Sequence, residues 1–168
     1  MRNQHQLQPE NPQASELKRA RQRLLYLLSR KPHSIYETRR KLRIAGFSAT
    51  TIDEIIHEAT EMGWLDDQAY AKLWVHDRLS HKPKGKALLK KELREKGVAE
   101  TQIETVLNDA AIDEPALIGQ LVTEQMARHQ NDDPANRKRK LYGYLQRRGF
   151  SPDAIRRAME NLGDANDS

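Results

Sequence analysis

Several residue types are scarce in this 168-residue sequence, and each shortage excludes a class of protein. There is no cysteine, which excludes disulfides, thiol catalysis and cysteine-ligated zinc. Aromatic residues make up only 5%, with eight glycines and seven prolines, and few β-formers and turn residues predict an all-α protein. No apolar run approaches the ~18 residues of a membrane span, and the polar start lacks the apolar segment of a signal peptide. We therefore expect a cytoplasmic protein with no membrane partner.

Charged residues, by contrast, are abundant. They make up 32% of the chain against 37% hydrophobic residues, a balance that suits helices with wide solvated faces better than one thick globule. The net charge is +5 and the isoelectric point about 9.5. An anionic partner fits this charge, and so does a soluble protein with surplus lysine.

The sequence contains three copies of one pattern. The segments are KLRIAGFSATTIDEII, ELREKGVAETQIETVL and YLQRRGFSPDAIRRAM, and their glycines, Gly46, Gly97 and Gly149, lie 51 and 52 residues apart. Six residues after each glycine comes an isoleucine, from which apolar residues continue at i+3, i+4 and i+7. This spacing marks one face of an α-helix. The three faces are Ile52, Ile55, Ile56 and Ala59; Ile103, Val106, Leu107 and Ala110; and Ile155, Ala158, Met159 and Leu162.

The repeat glycine ends the helix before it. A left-handed residue there satisfies the last carbonyl groups, and because glycine adopts that conformation without a Cβ penalty, φ is predicted to be positive. Ser48 is the expected cap of the next helix in the first repeat, and Ser151, followed by proline, in the third. Ala99 stands at the matching place in the second repeat, where Thr101 and Glu104 offer a capping box one turn later.

Two further helices precede each repeat glycine. Ser34 with Glu37 forms a capping box for the nearer helix of the first repeat, and Asp133 before proline starts that of the third. The farther helices are expected near 15–29, 67–80 and 115–129. We predict an all-α fold, an elongated array of three three-helix repeats at 15–65, 66–113 and 114–163, between flexible segments at 1–14 and 164–168. The apolar face of the first helix is Leu17, Ala20, Leu24, Leu25 and Leu28.

The stretch GWLDDQAY joins the first two repeats and holds paired carboxylates. Gly63 ends a helix, Asp66 is the expected N-cap of the next, and Asp67 lies in its first turn, where the helix dipole favours negative charge. Leu65 is placed to pack on Tyr70 as a hydrophobic staple. A catalytic pair would require a pocket and a raised pKa, neither of which the sequence supplies.

Other signals of catalysis are also missing, so we predict no enzyme, no metal site and no cofactor. The segment HEATE resembles a zinc motif, but Glu61 stands where the second histidine belongs, and His57 is expected at the surface. No glycine-rich phosphate loop is present.

Basic residues cluster in the helix that precedes each repeat glycine. Pairs four residues apart, such as Arg39 and Arg43, form basic stripes, which either line one side of the array as a binding surface or are ordinary solvated faces. Tyr142 and Tyr144 interrupt the third cluster, where they could stack on exposed bases. Tyr142 lies one turn before Leu145 and is alternatively a core residue. The candidate binding residues are Arg39, Arg40 and Arg43; Lys82, Lys84, Lys86, Lys90, Lys91 and Arg94; and Arg137, Lys138, Arg139, Lys140, Arg147 and Arg148.

The stretch GWLDDQAYAKLWVHDRLSHKPKGKALLKKELREKGV resembles the signature region of the RecX family of bacterial recombination regulators. That family shows a glycine and an aromatic or apolar pair before paired aspartates, then a helix, a Lys/Arg-Gly loop and an ending of the form eL-x-x-KG-[IV]. The resemblance is most specific in the second repeat, and the three-repeat plan extends it over residues 15–162. The matching elements are Gly63, Trp64–Leu65, Asp66–Asp67, Lys84–Gly85, and Glu92–Leu93 through Lys96–Gly97–Val98.

The resemblance implies a cytoplasmic regulator of the RecA recombinase in DNA repair, recombination and the SOS response. Such a protein is expected to lie as a monomer along the groove of the RecA–DNA filament, where each repeat can touch a successive subunit. It would bind RecA and single- or double-stranded DNA without sequence preference, and inhibit recombinase and ATPase activity. Two alternatives are a nucleic-acid-binding protein that acts alone and a scaffold that bridges other proteins.

Overall fold

The computed structural model describes residues 11–129 and 131–164, with side chains as far as Glu160. This part of the chain contains nine α-helices and no strand, which confirms the all-α prediction. None of these helices is long and apolar enough to cross a membrane. The helices are α1 Pro12–Arg30, α2 Ile35–Ile44, α3 Ala49–Glu61, α4 Asp67–His81, α5 Lys86–Glu95, α6 Glu100–Asp109, α7 Glu114–Arg128, α8 Pro134–Arg147 and α9 Pro152–Asp164.

The first helix begins earlier than predicted. Asn11 caps α1, since its side-chain oxygen accepts a hydrogen bond from the backbone N–H of Gln13 at 3.1 Å, and Pro12 occupies the first helical position. Residues 12–14 are therefore helical rather than flexible, and α9 likewise includes residue 164. The rest of the predicted flexible ends, 1–10 and 165–168, lies outside the described residues, as does the side chain of Leu162.

Helices α1, α2 and α3 pack around one apolar core. The predicted face of α3 is buried in it, together with Leu24 and Leu42 from the other two helices. One predicted core residue of α1 is wrong: Leu25 is 46% exposed, whereas Leu27 is 6% exposed. Leu27 follows Leu24 by three residues and shares its face, while Leu25 lies about 100° further around the helix.

The second and third repeats bury the same positions. In α7 to α9 the core includes Leu141, Leu145 and Ile155. In α5 the buried residues are Leu89 and Leu93, which stand eight and four residues before the repeat glycine. In α6 they are Ile103, Val106 and Leu107. The predicted helical faces after each glycine are therefore confirmed wherever their side chains are described.

The repeat glycines end their helices as predicted. The φ angles of Gly46, Gly97 and Gly149 are +87°, +77° and +81°. In each case the following residue donates its backbone N–H to the carbonyl five residues back, at 3.1–3.3 Å, which completes a Schellman motif. Gly63 has φ +69°, and Ala111, after α6, is the one non-glycine with positive φ among the described residues, at 44°.

Side-chain caps start most of the predicted helices. The cap of α6 is an exception, because the helix begins at Glu100 after Ala99, which makes no side-chain hydrogen bond. Thr101 lies inside that helix, so the capping box proposed for it is wrong. The confirmed caps are Ser34 with Glu37, Ser48, Asp133 and Ser151.

The chain divides into two compact units, with the boundary after Tyr70, inside α4. The first unit holds α1 to α3 and the first turn of α4. The second unit holds the rest of α4 and helices α5 to α9. The boundaries predicted between the repeats, at 65/66 and 113/114, stay predictions.

Candidate interface for nucleic acid and protein

The paired aspartates accept backbone hydrogen bonds at the starts of two different helices. Asp66 caps α4, because its Oδ1 accepts hydrogen bonds from the backbone N–H groups of Gln68 and Ala69 at 2.8 and 3.0 Å. The predicted N-cap is thus confirmed. Asp67 reaches instead to α2, where its Oδ1 accepts the backbone N–H of Ile35 at 2.8 Å. That N–H belongs to the first turn of α2 and has no partner within its own helix.

The pKa of Asp67 is raised above its ordinary value, which the sequence did not indicate. Burial raises the pKa of its carboxyl group; the hydrogen bond from Ile35 opposes that rise, and the charges of Asp66 and Glu37 add to it. Glu37 accepts a further hydrogen bond from the Tyr70 hydroxyl at 3.2 Å. Leu65 and Tyr70 are both buried, as the predicted staple requires. Both aspartates therefore act as helix caps, and the raised pKa arises from packing between α2 and α4.

Glu92 gathers three donors beside the second basic cluster. It accepts hydrogen bonds from Lys84, from the Trp74 indole N–H at 3.0 Å and from Arg78 Nε at 3.3 Å. Burial would raise the pKa of Glu92, but the hydrogen bonds from Lys84 and Trp74 outweigh it and the pKa falls below its ordinary value. The Arg78 guanidinium and Lys96 Nζ also lie over the Trp74 ring, 4.1 and 4.9 Å from its centroid. Lys84 thus has a structural partner.

The basic stripe of α5 is neutralised by acidic residues. Arg94 donates two hydrogen bonds of 2.8 Å to Glu100, and Lys90 lies 2.5 Å from Glu100 and 3.3 Å from Glu104. The hydrogen bonds from Arg94, and next those from Lys90, lower the pKa of Glu100 to about 2. Lys91 lies 3.9 Å from Glu95. All three cations of this stripe face carboxylates of the same chain.

The clusters of α2 and α8 are only partly paired. In α2, Arg39 forms an ion pair with Asp53. In α8, Lys140 pairs with Asp132 at 2.9 Å, and Arg139 donates to the Asn136 amide oxygen at 3.0 Å. The contact of Arg139 with Asn136 is neutral. Seven exposed candidates have no ion pair among the described residues: Arg40, Arg43, Lys82, Lys86, Lys138, Arg139 and Arg147.

Two members of the third cluster, Arg148 and Arg137, make contacts within the second unit. The Arg148 guanidinium lies 5.0 Å from the centroid of the Tyr144 ring, and its Nη1 donates to the Pro83 carbonyl at 3.2 Å. Arg137 donates to the Asp132 carbonyl at 2.9 Å. Tyr144 is partly buried against the core of the third repeat, whereas Tyr142 is 39% exposed. The core interpretation of Tyr142 is therefore wrong, and Tyr144 packs on the core in its place.

Aligning the repeats on their glycines explains the difference between the clusters. The residue seven positions after the repeat glycine is Asp53 in the first repeat and Glu104 in the second. Each pairs with the cation seven positions before the same glycine, which is Arg39 or Lys90. The third repeat has Arg156 and Tyr142 at these places. Here α8 and α9 border an open groove of about 640 Å³, lined in part by Lys138, Tyr142, Arg156 and the apolar Met159. The third repeat thus has no acid at this position, although Arg156 itself pairs with Asp153 and Glu160 also lines the groove.

Three family models match the chain, one after another. They describe the first, second and third three-helix domains of RecX and match residues 20–58, 66–107 and 116–159. The chain belongs to the RecX family. Each matched range falls within one predicted repeat, so the tandem order of three three-helix units is confirmed.

Curated relatives agree with this membership, and a solved structure shares the fold. The chain is 38% identical to regulatory protein RecX of Pelodictyon phaeoclathratiforme over 82% of this chain and 85% of that one. It is 36% identical to regulatory protein RecX of Vibrio cholerae, over 86% and 94%. The crystal structure of RecX from Lactobacillus salivarius matches the fold with a TM-score of 0.78 and 24% identity, over 89% of this chain and 98% of that one.

The glycine of the RecX signature loop has a structural role that the sequence did not indicate. Gly85 is buried, and its backbone N–H donates to the Arg148 carbonyl at 2.9 Å. A Cβ at Gly85 would lie 2.1 Å from the carbonyl oxygen of Gly149, and a Cβ at Gly149 would lie 2.3 Å from Cβ of Leu88. The start of α5 and the end of α8 therefore approach backbone to backbone, which joins the second and third repeats inside the second unit.

Proposed function

We propose that this RecX-family protein binds the RecA–DNA filament along its groove and inhibits recombinase and ATPase activity, as a cytoplasmic monomer with no catalysis of its own. The observation that carries the proposal is the match of all three RecX three-helix domains in tandem. Repeated units suit a helical filament, because each can contact a successive subunit.

The unpaired cations are the residues that we expect to contact the filament. A phosphate or carboxylate of the partner can bind Arg40, Arg43, Lys82, Lys86 or Lys138 without displacing an acid of the described part of the chain. Binding to a cation that is already paired gains less, because one ion pair must be broken for each that is formed. Contacts of this kind position the protein without reading base sequence.

A second candidate function is DNA binding without RecA. It is favoured by the groove between α8 and α9, where Tyr142 stands beside Lys138 and Arg139, neither of which has an ion pair among the described residues. Arg156 across the groove pairs with Asp153, and Glu160 also lines the groove. An exposed aromatic ring among cations is typical of surfaces that bind single strands by stacking and charge.

The test follows ATP hydrolysis by RecA on single-stranded DNA while this protein is added to preformed filaments. Sedimentation of the filaments reports binding in the same samples. We expect the protein to sediment with the filaments and hydrolysis to fall, also when free DNA is in excess. If hydrolysis is unaffected while the protein binds naked DNA, the second candidate function is correct and the proposal is wrong.

A further inference from the structure

The longest acid-free part of the first unit lies almost entirely before the helices that carry the candidate binding residues. Residues 17–36, LKRARQRLLYLLSRKPHSIY, contain no aspartate or glutamate. They cover most of α1 and the connection to α2. Their cations are Lys18, Arg19, Arg21, Arg23, Arg30 and Lys31.

Three of these cations and one aromatic ring share a stripe on α1. Arg19, Arg23, Tyr26 and Arg30 fall within about 60° of the helix circumference, and all four are exposed. The opposite face, which includes Leu24, is buried in the core. We call Arg19, Arg23, Tyr26 and Arg30 the α1 stripe.

The centre of the α1 stripe is an exposed aromatic ring between two guanidinium groups. Tyr26 is 52% exposed. Arg23 lies 5.5 Å and Arg30 5.9 Å from the centroid of its ring. These cation–π contacts are solvated and weak, so a stacking base can replace them while the guanidinium groups turn to neighbouring phosphates.

Two acids near the stripe, Glu16 and Glu58, make their hydrogen bonds outside it, although the charge of Glu16 also interacts with that of Arg19. Glu16 accepts hydrogen bonds from the Ser48 backbone at 2.8 Å, the Ser48 hydroxyl at 2.9 Å and the Thr51 hydroxyl at 2.8 Å, at the start of α3. Glu58 pairs with Arg21, which points towards α3 and away from the stripe, at 2.5 Å. The three arginines of the stripe have no ion pair among the described residues.

We propose that the α1 stripe binds single-stranded nucleic acid, with one base stacked on Tyr26 and adjacent phosphates held by Arg19, Arg23 and Arg30. The combination of ring and guanidinium groups decides the occupant. A duplex or an acidic protein could use the charge, but only a strand with unstacked bases uses the exposed ring face as well. This surface differs from the candidate residues of α2, α5 and α8, and it does not depend on contact with RecA.

The experiment uses the full chain and a fluorescent oligothymidine of about 15 nucleotides, long enough for one such site, without RecA. Anisotropy measures the dissociation constant over a range of salt. Tyr26→Leu should weaken binding about tenfold with little change in salt dependence, because stacking is lost and charge is kept. Tyr26→Trp should bind as tightly as the wild type or more tightly. Tyr36→Leu is the control, since Tyr36 is also 52% exposed.

The charges of the stripe are tested by matched pairs on the same segment. Arg23→Gln with Arg30→Gln should lower the slope of log K against log salt by about 1.4, at 0.7 for each phosphate of a single strand. Lys18→Gln with Lys31→Gln removes the same charge outside the stripe and should change the slope less. Circular dichroism confirms that helicity is kept.

Any one of three results would overturn this site. The first is a Tyr26→Leu variant that binds as tightly as the Tyr36→Leu control. The second is an equal fall in the slope of log K against log salt for the two charge pairs, which would show attraction by charge without a site. The third is a duplex of the same length that competes as well as the single strand.

Discussion

Replacing Gly85 with alanine should break the joint between the second and third repeats. The new Cβ would lie 2.1 Å from the Gly149 oxygen and 2.6 Å from the Phe150 nitrogen, and backbone atoms cannot rotate away as side chains do. The helices must separate, which costs ~1–3 kcal/mol for overpacking. Separation also breaks the 2.9 Å hydrogen bond from Gly85 to Arg148, so we expect a total loss of about 2–4 kcal/mol in the free energy of unfolding.

Urea unfolding followed by tryptophan fluorescence measures this loss. The chain has two tryptophans, so the background Trp64→Phe leaves Trp74, which donates to Glu92 inside the second unit, as the only reporter. The control is Gly119→Ala in α7, where nothing lies within 4 Å of the added Cβ. Because alanine favours a helix, that control should gain roughly 0.5–1 kcal/mol.

The two substitutions add the same methyl group to the same unit and are expected to have opposite signs. If Gly85→Ala is as stable as its parent, the two backbones do not approach in the way described. The close contact between α5 and α8 would then not explain why glycine stands at position 85.

Two further predictions concern helix ends. Asp67→Ala should cost roughly 1–3 kcal/mol, because the Ile35 N–H loses its partner, whereas Asp67→Asn keeps an acceptor and should be about as stable as the wild type at pH 7. Since burial raises the pKa of Asp67 in the folded state, the wild type should gain stability relative to Asp67→Asn as the pH falls towards the ordinary carboxyl value of 3.8; a relative loss in urea titrations would refute this assignment. Ala111→Gly should raise stability by about 0.5–1 kcal/mol, because Ala111 has φ 44°, a strained conformation for a residue with a Cβ; a lower melting temperature would contradict it.

The helical repeats were predictable because their signals are local. Each repeat glycine and the isoleucine six residues later fix a helix end and a buried face through spacing alone. The error at Leu25 has a local cause too, because a run of leucines leaves the phase of the helix ambiguous by one position. The early start of α1 was also encoded, in Asn11 followed by Pro12.

The pairing of charges depended on how helices pack, and so it was missed. Lys90 and Arg94 form a basic stripe on α5, but their partners Glu100 and Glu104 belong to α6 and meet them only after the two helices fold together. The partner of Asp67 lies 32 residues earlier in the chain. Comparing the position seven residues after each glycine would have revealed the acids of the first two repeats and Arg156 in the third.

The α1 stripe was missed for a different reason. Two of its arginines lie in the basic run KRARQR, residues 18–23, but the apolar face of α1 dominates the pattern of that helix. The absence of acids over residues 17–36 is the signal that would have found it.

The most direct test of the account compares unpaired with paired cations of the second unit, by the protein concentration that half-inhibits ATP hydrolysis by RecA filaments. Lys82→Gln with Lys86→Gln removes two unpaired charges and should raise this concentration roughly tenfold, at ~0.7 kcal/mol for each exposed contact. The fourfold variant Lys90→Gln, Arg94→Gln, Glu100→Gln and Glu104→Gln removes two ion-paired couples without changing net charge, and should inhibit like the wild type. The opposite result, with the fourfold variant impaired and the Lys82 and Lys86 variant normal, would contradict the claim that unpaired cations carry the regulation.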